Sequence, residues 1–518
     1  MPLVSWADKG NFAKVTTKLV CICLFLSLGS VIFGYDTGMF GGVQAIPGFV
    51  DRFGECNAKG VCTLSASRVS LMQSIAFAGK IIGTSSAGPI IERFNHRKAM
   101  FFMCFCCFVG VVIEATSKHY AQYTVGRIVL YFAVGITENA VPTYQSEIVP
   151  AGARGAVVSS IQFFIAVGGF ISSGVNKRFS TDKTDEGWLV ATCLQGLFPL
   201  LIAIGLPFVP ISPRWLISKG RSEEAVQVLI KVRPKEDGDN GACDAEVAAI
   251  DEALQHQVDK GPWLDLFRGT NARRTMIASV VFAFAQFTGQ AFTSQYGPRF
   301  YTTVGLGSMA FTYSLINSAI GLLTCGIAMI AMDRVGRRPI LIFGGVVQGI
   351  FLFLIAGLGL LKNPSTNVSH FFVACVILFS ALYAATWGAT PYLLAAEIGT
   401  ARLREKTMAF SSSVNVLAAF IVSFTLPYLL NSPYANLQSN IGWIYGSFAF
   451  AAGAFAYFCV PETKNRALEE LDACFEERIP ARKFSSFVAT GAAAQVAVLE
   501  TVGAGVGKDE RIEQVEKA

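Results

Sequence analysis

The sequence predicts an all-α membrane protein of twelve transmembrane helices in two six-helix halves, and three observations predict it. Of 518 residues, 53% are hydrophobic and 15% charged, and the mean hydropathy is +0.49. Soluble domains carry about 25% charged residues. Apolar runs recur at lengths that cross a hydrocarbon core, for which about 20 helical residues suffice. Charged clusters punctuate these runs and reappear in the second half at nearly constant spacing.

The first-half spans are expected over 19–40, 69–91, 99–117, 122–145, 156–177 and 189–210. The second-half spans are expected over 274–303, 309–332, 339–361, 371–396, 407–430 and 441–460. Runs such as LIAIGLPFV and VACVILFSALYAA are apolar on every face, whereas a β-barrel would alternate apolar and polar residues. The first run follows the polar leader MPLVSWADKGNFAKVTTK and lacks a small-residue cleavage site, so it reads as a helix rather than a signal peptide. The expected organisation is a cytoplasmic N-terminus (1–18), a six-helix bundle (19–210), a cytoplasmic helical linker (211–273), a second bundle (274–460) and a cytoplasmic tail (461–518). The tail reads as mobile from about 465, and its FVATGAAAQVAVLETVGAGVG lacks the large apolar side chains of a further span.

Lysine and arginine set the orientation. Lys9, Lys14 and Lys18, then Arg93, Arg97 and Lys98, the basic 214–274 segment, Arg334, Arg337 and Arg338, and Arg402, Arg404 and Lys406 all fall on one side, which is therefore read as cytoplasmic. The net charge of +6 is thus a topology signal, and no basic stripe interleaved with aromatics suggests nucleic acid. No HExxH, Walker loop or paired CxxC suggests an enzyme, a metal or a cofactor. Of thirteen cysteines, most lie in apolar runs as small hydrophobes, such as Cys104, Cys106 and Cys107. Cys56 and Cys62 lie in the first outer loop, where a disulfide and free thiols are both open. Asn367 begins an NVS sequon in a loop placed outside.

Three ordered motif pairs reveal an internal duplication. ERFNHRK from Glu92 is echoed by DRVGRRP from Asp333, 241 positions on; EIVPAGAR from Glu147 by EIGTARLR from Glu397, 250 on; and PISPR from Pro210 by PETK from Pro461, 251 on. Two parallel repeats with charge clusters at one set of helix ends describe an alternating-access transporter. The clusters comprise Glu92, Arg93, Glu147 and Arg154 in the first half and Asp333, Arg334, Arg337, Arg338, Glu397 and Arg404 in the second. They are expected to pair across the seam between the halves when that side is closed, to separate when it opens, and so to act as a latch. The positive-inside rule explains the arginines but not the matched acids.

With FGYDTG (33–38), ERFNHRK (92–98), GR (126–127), VPTYQSE (141–147), SPRWL (212–216), DRVGRR (333–338) and PETKNRALEE (461–470), the chain resembles a sugar porter of the major facilitator superfamily over about 19–475. The resemblance implies the major facilitator fold, a mid-membrane site between the halves and a polyhydroxylated substrate. It suggests a monomeric plasma-membrane carrier in the lipid bilayer, with a small sugar or polyol and a proton as its partners. A facilitator or exporter of a non-sugar polyhydroxyl compound, or a non-transporting nutrient sensor, remains the alternative.

Amides both donate and accept hydrogen bonds, which suits sugar hydroxyls. Gln162 matches the family's fifth-helix glutamine, Gln286 the second of the paired seventh-helix glutamines, and Asn415 an eleventh-helix asparagine. Departures are Ala285, Ala291, Ala384 and Val416 at usually polar or tryptophan positions, Tyr392 for a tryptophan, and Gly321 for an asparagine with Asn317 one turn earlier. Gln290, Thr288 and Gln295 are candidates for restoring contacts. Hexose, disaccharide and sugar acid therefore all stay open. Asp36 and Arg127 occur at similar depth and are expected to pair; the resemblance makes Asp36 the proton carrier. Lys80 and Glu138 are unexpected charges on neighbouring helices and are expected to pair, either to fix the helices or to contact substrate.

Overall fold

The computed structural model describes residues 15–58, 62–235, 240–255, 261–303, 307–361, 365–400, 402–464, 466 and 468–486. Twelve helical passes run through these residues. The first is Thr17–Leu26 with Leu28–Val43; the second and third are Ala66–Ser74 with Ala76–Ala115, broken at Asn95; the fourth is Tyr120–Ile148 and the fifth Ala151–Arg178. The sixth runs from Glu186–Cys193 through Leu206–Phe208, and the seventh is Gly269–Phe287 with Gln290–Thr303. The eighth is Ala310–Val335, the ninth Arg337–Leu358, the tenth Thr366–Ala385 with Thr390–Ile398, the eleventh Arg404–Leu430 and the twelfth Ile441–Cys459. By length and apolarity alone, nine candidate spans stand out among the described residues. Ala66–Ala115 is two passes, and the fourth and fifth fall outside that set. Apolarity understates passes whose polar side chains turn toward other helices.

Glycine sets the closest packing. Gly79 and Gly83 of the second pass lie on the main chain of Ile128 and Phe132 in the fourth, and Gly135 of the fourth lies on the main chain at Lys80. A Cβ at any of the three would collide with backbone. Small residues let membrane helices approach this closely, and the approach brings Lys80 beside Glu138. The halves meet chiefly where the first pass packs on the seventh, the second on the eleventh and the fifth on the eighth. Two hydrogen bonds stitch this seam toward the face opposite the basic clusters. Ser70 Oγ donates to the Phe424 carbonyl at 2.7 Å, and the Ser173 and Ser318 hydroxyls lie 2.7 Å apart.

On the basic face, short helices Pro213–Ser218, Ser222–Val232 and Ala242–Gln255 underlie the first half. Trp215 Nε1 donates to the Glu92 carbonyl at 3.1 Å, and Arg233 donates to the Ile148 carbonyl at 2.8 Å while pairing with Glu246. The expectation of a mobile tail from 465 needs correction. Helix Leu468–Glu476 buries Leu471, Cys474 and Phe475 with Phe484 against the second half, and Asp472 pairs with buried Arg274. The apolar spacing within LEELDACF gives that helix a face to dock. Residues 487–518 lie outside the described residues. On the opposite face, strands Glu55–Cys56 and Cys62–Thr63 pair antiparallel around a Cys56–Cys62 disulfide.

The repeat explains a strained residue. Gly336, between the eighth and ninth passes, has φ +108° and ψ 158°, a region essentially reserved for glycine. Its counterpart in the first half is Asn95, with φ 70° and ψ 164°. Asn95 Oδ1 accepts from Lys98 N at 3.0 Å, a cap that glycine replaces at a loss of only a few tenths of a kcal/mol. The strain amounts to about 1–3 kcal/mol. Asn95→Gly is therefore expected to stabilise the protein by about 1 kcal/mol, read as a raised thermal midpoint in detergent.

Candidate functional site

The acid clusters on the basic face form two equivalent three-part clasps. In the second half, Glu397 at the end of the tenth pass accepts from Arg337 at 2.8 Å and from Thr463 Oγ1 at 2.5 Å. In the first half, Glu147 at the end of the fourth accepts from Ser212 Oγ at 2.5 Å, with His96 Nδ1 3.8 Å away. The repeat maps His96 onto Arg337 and Ser212 onto Thr463. Each of these contacts stays within one half. The turn between two passes, the end of a third and the segment after a fourth converge at the same corner of each bundle.

The second clasp is the stronger. Glu462 accepts from the backbone N–H groups of Arg337 and Arg338, at 3.1 and 3.2 Å, capping the ninth pass. Arg338 also donates to the Tyr457 carbonyl, and Lys464 Nζ donates to the Arg334 carbonyl. Arg404 Nε donates to the Gly399 carbonyl at 3.4 Å, while Glu92 and Arg93 are exposed. The side chains of Arg154 and Asp333 lie outside the described ones. His96, Ser212, Thr463 and Glu462 escaped the sequence reading, although all four stand inside the repeated motifs.

Deep in the first half, Asp36 and Arg127 face each other with both side chains fully buried, two N–O distances of 3.4 Å joining them. Arg127 Nη2 also lies 3.3 Å from Tyr131 OH, and its guanidinium sits 4.0 Å from the Phe40 ring centroid. Glu114 on the third pass belongs to the same pocket. Its carboxylate is fully buried, accepts from Gln195 Nε2 at 3.2 Å and leaves Oε1 without a partner. Glu114 Cγ occupies the space that a side chain at Gly126, next to Arg127, would need. A glutamate ending the apolar run FVGVVIEA was the available signal for it.

Nearer the seam, Lys80 Nζ lies 2.7 Å from Glu138 Oε1 and 4.2 Å from the Phe33 ring centroid. In the second half, Gln286 Nε2 donates to Asn415 Oδ1 at 2.8 Å, and Asn415 Nδ2 donates to Tyr392 OH at 3.3 Å. Phe282 meets the Tyr392 ring edge to face. The structure thus brings Gln286, Asn415 and Tyr392 into one chain. Gln162, Gln290 and Asn317 are half-buried on the fifth, seventh and eighth passes, outside that chain. Asn317 keeps a buried Oδ1 without a partner, and Gln290 Oε1 lies 3.5 Å from Thr293 Oγ1. Glu138 and Tyr392 come from opposite halves, and the carboxylate lies within electrostatic reach of the phenol.

Residues 22–475 match the family described as sugar (and other) transporter. The chain is 27% identical over 498 residues to the major facilitator-type transporter ecdD of Aspergillus rugulosus, covering 93% of this chain and 92% of that one. It is 29% identical to the high-affinity fructose transporter ght6 of Schizosaccharomyces pombe, covering 90% and 88%. In three dimensions it is similar to the xylose transporter XylE from E. coli in its inward-open conformation, with a TM-score of 0.73 at 26% identity over 88% of this chain and 99% of that one. The same protein, as a proton:xylose symporter bound to 6-bromo-6-deoxy-D-glucose, matches with a TM-score of 0.69 at 27% identity over 88% and 99%. The chain is therefore a multi-pass membrane carrier, not an enzyme, and belongs to the sugar transporter family of the major facilitator superfamily.

Proposed function

We propose that this protein moves a sugar or related polyol across the plasma membrane together with a proton, by alternating access, as a monomer with its basic face and both termini in the cytoplasm. The observation that carries the reading is the Gln286–Asn415–Tyr392 chain at the seam. Amide and phenol groups in one layer can exchange hydrogen bonds with several hydroxyls at once. The Asp36–Arg127 pair supports proton coupling: a proton arriving on Asp36 removes the partner of a buried cation and so shifts the balance between conformations. The similar XylE is a proton:xylose symporter, and the lysine and arginine bias supports the orientation.

Radiolabelled uptake in a transporter-null host, across a panel of sugars and polyols with and without a protonophore, tests this. Protonophore-sensitive accumulation supports symport; equilibration that ignores the protonophore, or binding without flux, overturns it. Gln286→Ala removes one hydrogen-bonding group at the seam, worth about 0.5–1.5 kcal/mol. The expected result is a rise in KM of about two- to twelve-fold, with surface expression unchanged.

A further inference from the structure

One wall of the seam carries a pair of charges that sugar recognition by amides does not require. Lys80 and Glu138 share a 2.7 Å ion pair, yet they are not equally accessible: the lysine side chain is 6% exposed and the glutamate 29%. Lys80 is pinned on its far side by the Phe33 ring, and the Gly79–Gly83–Gly135 packing holds the two helices at contact distance. In the opposite half, within electrostatic reach of Glu138, lies Tyr392, 44% exposed at the end of the Gln286–Asn415–Tyr392 chain. A molecule entering between the halves therefore meets a carboxylate on one side and a phenol on the other, with the ammonium behind the carboxylate.

We propose that Glu138 is a substrate-binding residue, oriented by its 2.7 Å contact with Lys80, which accepts hydrogen bonds from vicinal hydroxyls and selects neutral polyols against sugar acids. This rests on the transport reading above and names the substrate class of that site. A carboxylate has lone pairs on both oxygens; Lys80 engages Oε1, which leaves acceptor capacity toward the seam. Hydrogen bonds to an ionised acceptor are roughly twice as strong as neutral ones. One such bond offsets about two of the neutral contacts that the resemblance leads one to expect and that are missing at positions such as Ala285 and Ala291. An anionic substrate would meet like charge before reaching the lysine, and Lys80 is too deeply set to greet it. The polarity of the pair thus sorts ligands by charge: hydroxyl donors are admitted and carboxylates are turned away.

The pair could instead serve only to pin the second and fourth passes, and a charge swap separates the two roles. Purified wild type and the variants Glu138→Gln, Lys80→Met and the double variant Lys80→Glu/Glu138→Lys are compared in proteoliposomes for thermal stability and for uptake of the best neutral sugar. Inhibition of that uptake is measured with its uronate and aldonate counterparts. The inference expects Glu138→Gln to raise KM at least about tenfold, one charge-assisted contact being worth about 1.4 kcal/mol or more. It expects the swap to regain wild-type melting while losing neutral-sugar uptake and becoming sensitive to the sugar acids. Recovery of both melting and neutral-sugar uptake in the swap, or a wild type inhibited by the acids as strongly as by the neutral sugar, overturns it. A wild type that takes up no sugar would refute the transport reading instead, so the two failures are distinguishable.

Discussion

Asp36→Asn is expected to abolish protonophore-sensitive accumulation while leaving exchange of substrate between two loaded compartments. Asp36, Arg127 and Glu114 are all fully buried, so the pocket holds one guanidinium and two carboxylates with no solvent to screen them. Removing the Asp36 charge leaves Arg127 with Glu114, whose Oε1 has no other partner and is available to compensate. Breaking a buried pair outright costs about 3–5 kcal/mol; asparagine keeps the shape and an acceptor, and Glu114 keeps a charge, so the variant should fold. What it loses is a carboxylate that can take up and release a proton while facing Arg127. Accumulation against a gradient then has no ion to drive it, whereas exchange needs only the sugar-loaded carrier to reorient. Proteoliposome uptake under an imposed pH gradient, beside counterflow, reads both. Accumulation equal to wild type would place the coupling site elsewhere, and Glu114→Gln in the same assay asks whether the second carboxylate shares the task.

The sequence revealed most of the fold because membrane spans are written in composition and the duplication in motif order. The twelve passes followed from composition, and the pairing of Lys80 with Glu138 and of Asp36 with Arg127 from depth together with the helix adjacency that the family resemblance implies. What it could not give was the partner of a charge among several candidates at similar depth. The repeat marks Glu147 and Glu397 as equivalent, but not that each is satisfied by its own bundle; that depends on Ser212 and Thr463, neutral hydroxyls that carry no topological signal. Glu114 was missed because a glutamate near a span end reads as a boundary charge until Gln195, 81 positions later, is seen beside it. The helix at Leu468–Glu476 was missed because its polar composition outweighed an apolar face of only a few residues.

The proposed alternating access makes a second large prediction at the seam. Ser173 and Ser318, from the fifth and eighth passes, have hydroxyls 2.7 Å apart near the face opposite the clasps. That contact, with Ser70 on Phe424, joins the halves near this face, while the clasp contacts on the other stay within their own halves. A carrier that must open here to admit substrate has to break the Ser173–Ser318 contact once per cycle. A disulfide needs Cβ atoms about 3.5–4.5 Å apart, which side chains already in hydrogen-bonding contact can reach with little backbone movement. The double variant Ser173→Cys/Ser318→Cys is therefore expected to crosslink under mild oxidation and to lose uptake in proportion to the crosslinked fraction, with recovery on reduction. Wild type and each single variant under the same oxidant and reductant control for the native Cys56–Cys62 bond and the remaining thiols. Binding should respond differently, since under the proposed cycle a carrier locked shut at this face keeps its site open to the other: substrate should still protect the crosslinked protein against heat. Full uptake with the crosslink in place would mean that the halves do not separate at this seam, and a rocking-bundle cycle would have to be abandoned for this protein.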